Sequence, residues 1–357
     1  MSAAIVALLL ISFVYQISAA PRLFLDLAAP SSAVGVDGLV VKATLKNTGD
    51  VTLKLLNDPG SILSQVNTNT FTISSASGMP RFTGLKVKYV AYRAARSSGS
   101  SAFTVLAPGK TVQIDHALGG TYNFTRCGEG SYDFRASNIF NYVDESGELK
   151  TIKASFNSRQ LKIVGRLAVA SRHTGTSTFR RRNLSFTGCS AKQKHQIMEA
   201  ATASNALVSE TNTYLSTMTS IQPRYTTWFG AFDQSNYNAV VSHFQNIGND
   251  ATMVNYDCVD CLSRLGDGYP YTMAYANPAV PSTIYICGGF WTAPVTGTDS
   301  KAGTIIHENS HFVVNGATDD RVYGQEGSQS LAYYHPESAV ANADSHEYFA
   351  ENTPFLY

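Results

Sequence analysis

The feature that most constrains this 357-residue chain is the segment His307-Glu-x-x-His311. On an α-helix, residues four apart lie on one face, so the imidazoles of His307 and His311 can reach one tetrahedral metal ion. Glu308 is rotated slightly away and can hold a water molecule. This spacing is typical of zinc peptidases, whereas the alternative is a helix with two surface histidines and a solvated glutamate.

The residues around this motif favour a helix with buried flanks. Ile305 with Phe312, and Ile306 with Val313, recur at helical spacing, and Asn315-Gly316 supplies a turn that would end the helix. A catalytic zinc also needs a third protein ligand and an open position. The Gly and His that metzincins have three and six residues after the second histidine do not occur here, which excludes that group.

An acidic turn with Asp319 and Asp320 follows the motif and leads to Tyr323-Gly324. Together with the zinc motif, Thr318-x-Asp320-x-x-Tyr323-Gly324 resembles the signature of the aspzincins, which include deuterolysins and fungal peptidyl-Lys metalloendopeptidases. Asp319 could be the third zinc ligand, but the register of the motif favours Asp320. One departure is Ala317, where the family usually has Gly. Further blocks in residues 224–230, 290–299 and 342–352 resemble the peptidyl-Lys branch, so the resemblance covers roughly residues 185–357.

The resemblance implies a site with one zinc ion in the catalytic domain. His307, His311 and Asp320 would ligate the metal and leave a fourth position for water. Glu308 would accept the proton of that water and deliver it to the leaving amine. Tyr323 would donate to the oxyanion of the tetrahedral intermediate, and its alternative role is a packed aromatic side chain.

A second acidic pair suggests a preference for lysine. Asp344 and Glu347 are three residues apart on a predicted helix, so their carboxylates can face a common pocket. The resemblance assigns matching positions to lysine recognition, and two acids on a solvated helix face are the alternative. His335 and His346 could also ligate a metal, but each is interpreted as a surface or cap residue.

The fold class predicted from the sequence is α+β. Alternating runs at residues 39–45, 70–73, 85–91 and 111–114 favour an N-terminal all-β sandwich of the immunoglobulin type, interpreted as a pro-segment. A mainly helical, zincin-like catalytic domain with a small sheet is predicted to follow. Its predicted helices cover residues 191–218, 237–247, 324–333 and 336–352, with strands at 253–256 and 283–287. The last strand is expected to align an extended substrate.

The chain is predicted to contain three segments. Residues 1–20 read as a secretory signal peptide, residues 21–183 as a β-sandwich propeptide with its linker, and residues 184–357 as the peptidase domain. The linker ends in three arginines at 180–182, which favours removal by a dibasic-processing protease. The lysines nearest to it are Lys162 and Lys192, and neither offers a suitable self-cleavage site. Asn123 and Asn183 lie in glycosylation acceptor motifs, consistent with secretion.

Charge and cysteines divide at the same linker. Residues 1–183 have 21 Lys or Arg against 10 Asp or Glu, and residues 184–357 have 6 against 16, so the two parts carry charges of +11 and −10. Opposite charges favour docking of the pro-segment on the catalytic domain. Cys127 precedes the linker. Four cysteines follow it and suggest two disulfides in any of three pairings; the resemblance favours Cys189 with Cys258 and Cys261 with Cys287.

The function expected from these features is a secreted zinc endopeptidase, made as a precursor, that cuts on the N-terminal side of lysine. The alternatives are a broad-specificity, deuterolysin-like metalloprotease and, in another class, a secreted binding protein without activity. The expected partners are lysine-containing polypeptides and the chain's own propeptide. A monomer with no nucleic-acid or membrane partner is predicted.

Overall fold

The computed structural model describes residues 20–169, 183–218, 220–278, 280 and 282–357. The predicted signal peptide, up to residue 19, and the arginine-rich linker at 170–182 lie outside these residues. The described residues before the linker are called the N-terminal block here, and those after it the C-terminal block. In the described residues, no helix is long and apolar enough to cross a membrane.

The N-terminal block consists mainly of short strands. They are β1 (Leu23–Ala28), β2 (Ser32–Val34), β3 (Val40–Asn47), β4 (Leu53–Leu56), β5 (Phe71–Ser74), β6 (Arg81–Phe82), β7 (Lys86–Tyr89), β8 (Phe103–Leu106), β9 (Thr111–Ala117), β10 (Tyr122–Asn123), β11 (Gly130–Ala136), β12 (Ile139–Val143), β13 (Leu149–Lys153), β14 (Ser155–Phe156) and β15 (Arg159–Val164). A short helix α1 (Ala91–Ala95) and a 3-10 turn (Ser100–Ala102) follow β7.

Three four-stranded sheets surround one apolar core in this block. Their strand orders are β14-β1-β3-β9, β2-β15-β11-β5 and β13-β12-β4-β8. Alternation places every second side chain of β3 inside, where Val41, Ala43 and Leu45 are fully buried. Leu25, Phe134 and other side chains from the three sheets join the same core. The block is therefore mainly β, as its period-two patterning predicts, whereas the immunoglobulin-type sandwich stays a prediction.

The C-terminal block is mainly helical. Its elements are β16 (Ser185–Thr187), α2 (Ala191–Thr217), α3 (Pro223–Phe229), α4 (Gln234–Ile247), β17 (Asn255–Asp257), α5 (Asp260–Leu265), β18 (Thr272–Ala276), β19 (Thr283–Ile286), α6 (Gly288–Thr292), α7 (Lys301–Ser310), α8 (Gly324–Tyr334), α9 (Pro336–Val340) and α10 (Ala343–Glu351), with 3-10 turns at Asp250–Thr252 and Gly266–Tyr271. The long helix α2 begins with a capping box, in which Ser190 and Gln193 satisfy each other's backbone amides. The chain thus combines an all-β half with a mainly helical half, which agrees with the α+β prediction.

One sheet crosses the boundary between the blocks. Its strand order is β16-β17-β19-β18-β7, and its last strand, β7, comes from the N-terminal block. The run at 85–91 was predicted to belong to the β sandwich, so that assignment is wrong for β7. The strand predicted to align a substrate, β19, is also internal, between β17 and β18. Its neighbour β18, which the sequence patterning did not identify, pairs with β7 instead.

Two helix boundaries differ from the predictions. Helix α7 ends at Ser310 with His311 as its C-cap, before the Asn315-Gly316 turn. Because the chain then leaves the helix, Val313 is 70% exposed rather than buried. The segment 336–352 forms two helices instead of one, since the helix is interrupted at Asn342. The amide Oδ1 of that residue accepts hydrogen bonds from the backbone N–H groups of Arg321 and Val322.

Candidate active site

Helix α7 places the zinc motif in the interior of the C-terminal block. Ser300 caps its N-terminus by accepting a hydrogen bond from the Gly303 amide at 2.9 Å. Ile305 and Ile306 on the preceding turn are fully buried, as are His307 and Glu308. The apolar residues between the cap and the motif therefore anchor a helix whose polar residues lie away from solvent.

Three side chains converge on one point. One ligand atom each from His307, His311 and Asp320 lies within 4.8 Å of the others. Asp320 Oδ1 lies 3.0 Å from His307 Nε2 and 3.2 Å from His311 Nε2. All three atoms are buried and lack a hydrogen-bond partner of acceptable geometry. Buried polar atoms are rarely left without partners, so a two-nitrogen, one-oxygen donor set of this kind fits a zinc ion.

Neighbouring groups orient these donors. His311 Nδ1 lies 2.9 Å from the carbonyl oxygen of Thr318, an arrangement that turns Nε2 toward the cluster. His307 Nδ1 lies 2.8 Å from Asp344 Oδ1, which does the same for the other ring. Asp319, the alternative ligand, instead contacts the Lys86 ammonium, with Oδ1 2.9 Å from Nζ. Asp320 is thus the acid that lies with the histidines.

Glu308 and Tyr323 lie beside this cluster. Both carboxylate oxygens of Glu308 are buried without a hydrogen-bond partner, and burial raises the pKa of this group well above its usual value. Burial, followed by the charge of Asp320, likewise raises the pKa of Tyr323. The phenol therefore keeps its proton and can donate a hydrogen bond. Its ring packs edge-to-face against Tyr89, with centroids 6.2 Å apart.

Asp344 and Glu347 lie on the first turns of α10 and are fully buried, not on a solvated face. A lysine ammonium lies between them: Lys88 Nζ is 3.0 Å from Asp344 Oδ1 and 2.8 Å from Glu347 Oε2. Burial tends to lower the pKa of Lys88, but the two carboxylates outweigh it and raise that pKa well above its usual value. The pocket formed by these acids therefore accommodates an ammonium group.

Sequence reasoning missed three residues of this pocket. Lys88 comes from β7, 256 positions away from Asp344. Asp299 contributes Oδ1 at 3.3 Å from Lys88 Nζ, and the Tyr348 hydroxyl donates to the same oxygen at 2.6 Å. Asp299 and Tyr348 lie inside blocks that carried the family resemblance, which was the available signal. Lys88 had no such signal, because its alternating strand pattern resembles that of its neighbours in the N-terminal block.

His335 and His346 are not among the described residues grouped as metal donors, and the interpretation of His346 as a surface or cap residue is wrong. His346 is fully buried, with Nε2 2.9 Å from His243 Nδ1 and Nδ1 2.9 Å from the Asn342 carbonyl. Burial, followed by the neighbouring His243, lowers the pKa of His346 to about 3. His335 is exposed and caps α9.

The cysteines form two disulfides, which join Cys189 to Cys258 and Cys261 to Cys287. These are the pairs that the family resemblance implies. Cys127 is a buried free thiol in the core of the N-terminal block. Of the predicted glycosylation positions, Asn183 is exposed, whereas the Asn123 side chain is half-buried and accepts hydrogen bonds from Thr125. Glycosylation at both positions stays a prediction.

The turn between α7 and Asp320 contains an unusual backbone conformation. Ala317, at the position where aspzincins usually have Gly, has φ of +50°. Residues with a Cβ atom rarely adopt this left-handed region. Its amide still donates to the Phe312 carbonyl at 3.2 Å, which closes the turn. The chain therefore keeps a glycine-like turn without the glycine.

Comparisons with known proteins show to which family this chain belongs. The aspzincin family profile, described as lysine-specific metallo-endopeptidase, matches residues 214–351. Peptidyl-Lys metalloendopeptidases of Grifola frondosa and Armillaria mellea are 44% and 45% identical, over 97% and 95% of this chain and 97% and 94% of theirs. An "extracellular protease" of Aeromonas hydrophila is 32% identical over 92% of this chain and 95% of its own length. The solved zinc peptidase from Grifola frondosa is 44% identical, covers 47% of this chain and 100% of its own, and has a TM-score of 0.44.

Proposed function

Since this chain belongs to the aspzincin family of lysine-specific metallo-endopeptidases and is a zinc endopeptidase, we propose that it cuts polypeptides on the N-terminal side of lysine. The observation that carries this proposal is the pocket around Lys88 Nζ. Its ammonium lies within 3.3 Å of Asp299, Asp344 and Glu347, beside the zinc motif. A lysine side chain of a substrate would occupy the same pocket when the N-terminal block is removed.

The enzyme uses one zinc ion, and His307, His311 and Asp320 would hold it. Zinc at such a site supplies Lewis acidity, which lowers the pKa of water and polarises a peptide carbonyl. Glu308 lies on the same helix and would take a proton from the attacking water. It would then pass that proton to the amine that leaves, which is the backbone nitrogen of the substrate lysine. Burial raises the pKa of Glu308, which favours its holding the transferred proton before it passes that proton on.

The tyrosine has a separate role in the proposal. Tyr323 stays protonated because burial raises the pKa of its phenol, so it would donate to the oxyanion that forms on the scissile carbonyl. This role requires the Tyr323 ring to face the substrate position. In support, the ring contacts Tyr89, which directly follows the bound Lys88.

The chemistry of the pocket favours lysine over arginine. An ammonium is a compact charge with three donors, and it has three carboxylate partners here, two from α10 and one, Asp299, from the segment before α7. The broad planar guanidinium of arginine would need to displace Glu347 or Asp299. Asp344 and Glu347 are also fully buried, so a neutral side chain would remove the ammonium that balances most of their negative charge.

Secretion and synthesis as a precursor also belong to the proposal. They are supported by the apolar N-terminus of the sequence and by the relative named as an extracellular protease. The two disulfides are typical of proteins that fold in oxidising compartments. We take residues 21–183 as a propeptide, removed within the arginine-rich linker by a dibasic-processing protease, which leaves a monomeric enzyme of residues 184–357.

The proposed specificity is tested with matched peptides that differ only in the residue after the scissile bond. The processed enzyme, loaded with zinc, is expected to cut the lysine peptide at least tenfold faster, as kcat/KM, than peptides with arginine or leucine there. Equal rates for all three peptides would contradict the proposal. They would favour the alternative, a broad-specificity, deuterolysin-like metalloprotease.

A further inference from the structure

Strand β7 occupies the edge of the peptidase sheet. It pairs antiparallel with β18, with Val87 opposite Tyr275 and Lys86 opposite Ala276. Adding an extended segment to a free sheet edge is a common way of binding peptides, because the ladder binds any backbone and pockets select the side chains. Without β7, the edge strand of this sheet beside the zinc motif would be β18. The edge is therefore suited to a peptide substrate, and a segment of the same chain fills it.

The side chain of Lys88 occupies the lysine pocket. It is fully buried, and its Nζ contacts Asp344, Glu347 and Asp299 at 3.0, 2.8 and 3.3 Å. The Tyr348 hydroxyl lies 3.5 Å from the same nitrogen. Each of the three carboxylates that would bind a substrate lysine is thus already paired with Lys88.

The backbone of β7 lies where the scissile peptide of a bound substrate is expected. The Val87 amide donates to Asp320 Oδ2 at 2.6 Å, while Asp320 Oδ1 faces the two histidines. The Lys88 amide faces Glu308, the proposed proton carrier, although no hydrogen bond of standard geometry joins the two. The Val87 carbonyl lies between these amides in the chain. The Val87–Lys88 peptide therefore occupies the position that the proposed function assigns to the scissile bond.

Contacts on both sides of this peptide hold β7 in place. Lys86 Nζ lies 2.9 Å from Asp319 Oδ1 and donates to the Thr318 carbonyl. Tyr89 packs against Tyr323. The alternative is that β7 is a permanent strand whose buried lysine only satisfies structural acids. A structural ion pair does not require its peptide backbone to lie against a metal-ligand set and a catalytic carboxylate, whereas a bound substrate does.

We propose that β7 is an internal, substrate-like inhibitor, in which Lys88 occupies the lysine pocket and keeps the precursor inactive until the N-terminal block leaves. This proposal rests on the proposed function, because it assigns the same pocket to lysine of the substrate. The opposite charges of the two halves of the sequence, +11 and −10, add to the attraction between them. Because β7 is part of the same chain, its effective concentration at the site is of the order of mM or higher, and it excludes substrates that bind more weakly.

The test compares full-chain precursors, each verified as intact by mass spectrometry and loaded with zinc, with the processed enzyme. A short fluorogenic peptide with lysine after the scissile bond reports activity. The wild-type precursor is expected to be at least 100-fold less active than the processed enzyme. Lys88→Met removes the ammonium and is expected to raise precursor activity about 10- to 100-fold, the equivalent of about 1.5–3 kcal/mol for one charge-assisted contact. Lys46→Met, an exposed lysine on β3, is the matched control and is expected to change nothing.

A second measurement reads binding without turnover. In the Glu308→Gln background, a labelled lysine peptide is expected to bind the processed form and the Lys88→Met precursor, but not the precursor with Lys88 intact. Lys88→Arg covers the case in which Lys88→Met does not fold, since it keeps a charge in the pocket and is expected to release activity partially.

The outcomes separate this proposal from the proposed function. If the processed enzyme prefers lysine but the intact wild-type precursor is equally active, or none of the folded Lys88 variants gains activity or binding, the internal inhibitor is refuted. If the processed enzyme itself shows no preference for lysine, the proposed function fails first.

Discussion

Gly303 in the zinc helix gives a prediction that opposes the ordinary rule for helices. Replacing an exposed or loosely packed helical glycine by alanine raises the free energy of unfolding by about 1 kcal/mol. At Gly303, however, an added Cβ would lie 2.0 Å from Glu351 Oε1 and 3.0 Å from Glu347 Cγ. The same Oε1 accepts hydrogen bonds from the Ser300 amide at 2.9 Å and the Ser300 hydroxyl at 2.7 Å. Gly303→Ala therefore displaces the carboxylate that joins the start of α7 to α10.

Three contributions determine how much Gly303→Ala changes the free energy of unfolding. Overpacking of a buried site costs about 1–3 kcal/mol. Losing one hydrogen bond to Glu351 costs about 0.5–1.5 kcal/mol, and the helix propensity of alanine returns about 1 kcal/mol. We therefore expect Gly303→Ala to lower the free energy of unfolding by about 0.5–3.5 kcal/mol. At about 2–4 °C per kcal/mol, the melting temperature falls by about 1–14 °C.

Calorimetry of the full chain in the Glu308→Gln background measures this effect without self-digestion. Gly327→Ala is the matched control, because Gly327 also lies within a helix but its added Cβ meets only Val322, at 3.4 Å. The control is expected to melt at the same temperature as its parent or slightly higher. If Gly303→Ala is as stable as Gly327→Ala, the packing of Glu351 against the zinc helix does not stabilise the fold.

Four further predictions concern the site and its surroundings. Glu308→Gln should retain about one zinc per molecule by metal analysis and lose at least about 100-fold in kcat, whereas His311→Ala should lose both the zinc and the turnover. Substantial turnover by zinc-loaded Glu308→Gln would show that Glu308 is not the base. In the processed enzyme, Glu347→Gln should reduce the preference for lysine over leucine about 10- to 100-fold, and an unchanged preference would show that this acid does not select the substrate. Ala317→Gly should raise the free energy of unfolding by about 1 kcal/mol in urea titrations, because it relieves a φ of +50°; a decrease would show that the turn is not strained. Burial lowers the pKa of His346 to about 3, below its value near 6.5 in the unfolded chain. Its contribution to stability is therefore complete above pH 6.5 and falls by up to about 5 kcal/mol as the pH drops toward 3. In urea titrations, the free energy of unfolding should fall less between pH 7 and pH 4 for His346→Gln than for the wild type, and an equal fall would contradict the shift.

Local patterns predicted much of the architecture. Period-two alternation identified the all-β half, and helical spacing located α2 and α4 close to their observed bounds. These elements follow from side-chain periodicity, which depends only on near neighbours in the chain. The end of α7 was harder to place, because His311 caps the helix while the chain turns back to bring Thr318 to Ser310. The exposure of Val313 follows from that long-range closure and not from its spacing.

The sequence by itself determined which chemical groups meet at the site. The spacing of His307 and His311, and the family motif that contains Asp320, predict a metal-binding set with a carboxylate beside it. These residues are close in the chain, so their meeting needs only one helix and one turn. The pair Asp344 and Glu347 likewise lies within a single turn of α10.

Only the tertiary structure decided what occupies the pocket. Lys88 is 256 residues away from Asp344, in a strand whose alternating pattern fits the N-terminal sheets as well as the peptidase sheet. Periodicity specifies that a segment is extended, but not which sheet edge it pairs with, because backbone hydrogen bonds are the same at every edge. In the structure β7 pairs with β18, and there the ammonium of Lys88 meets the buried carboxylates of Asp344 and Glu347, which stabilises this pairing.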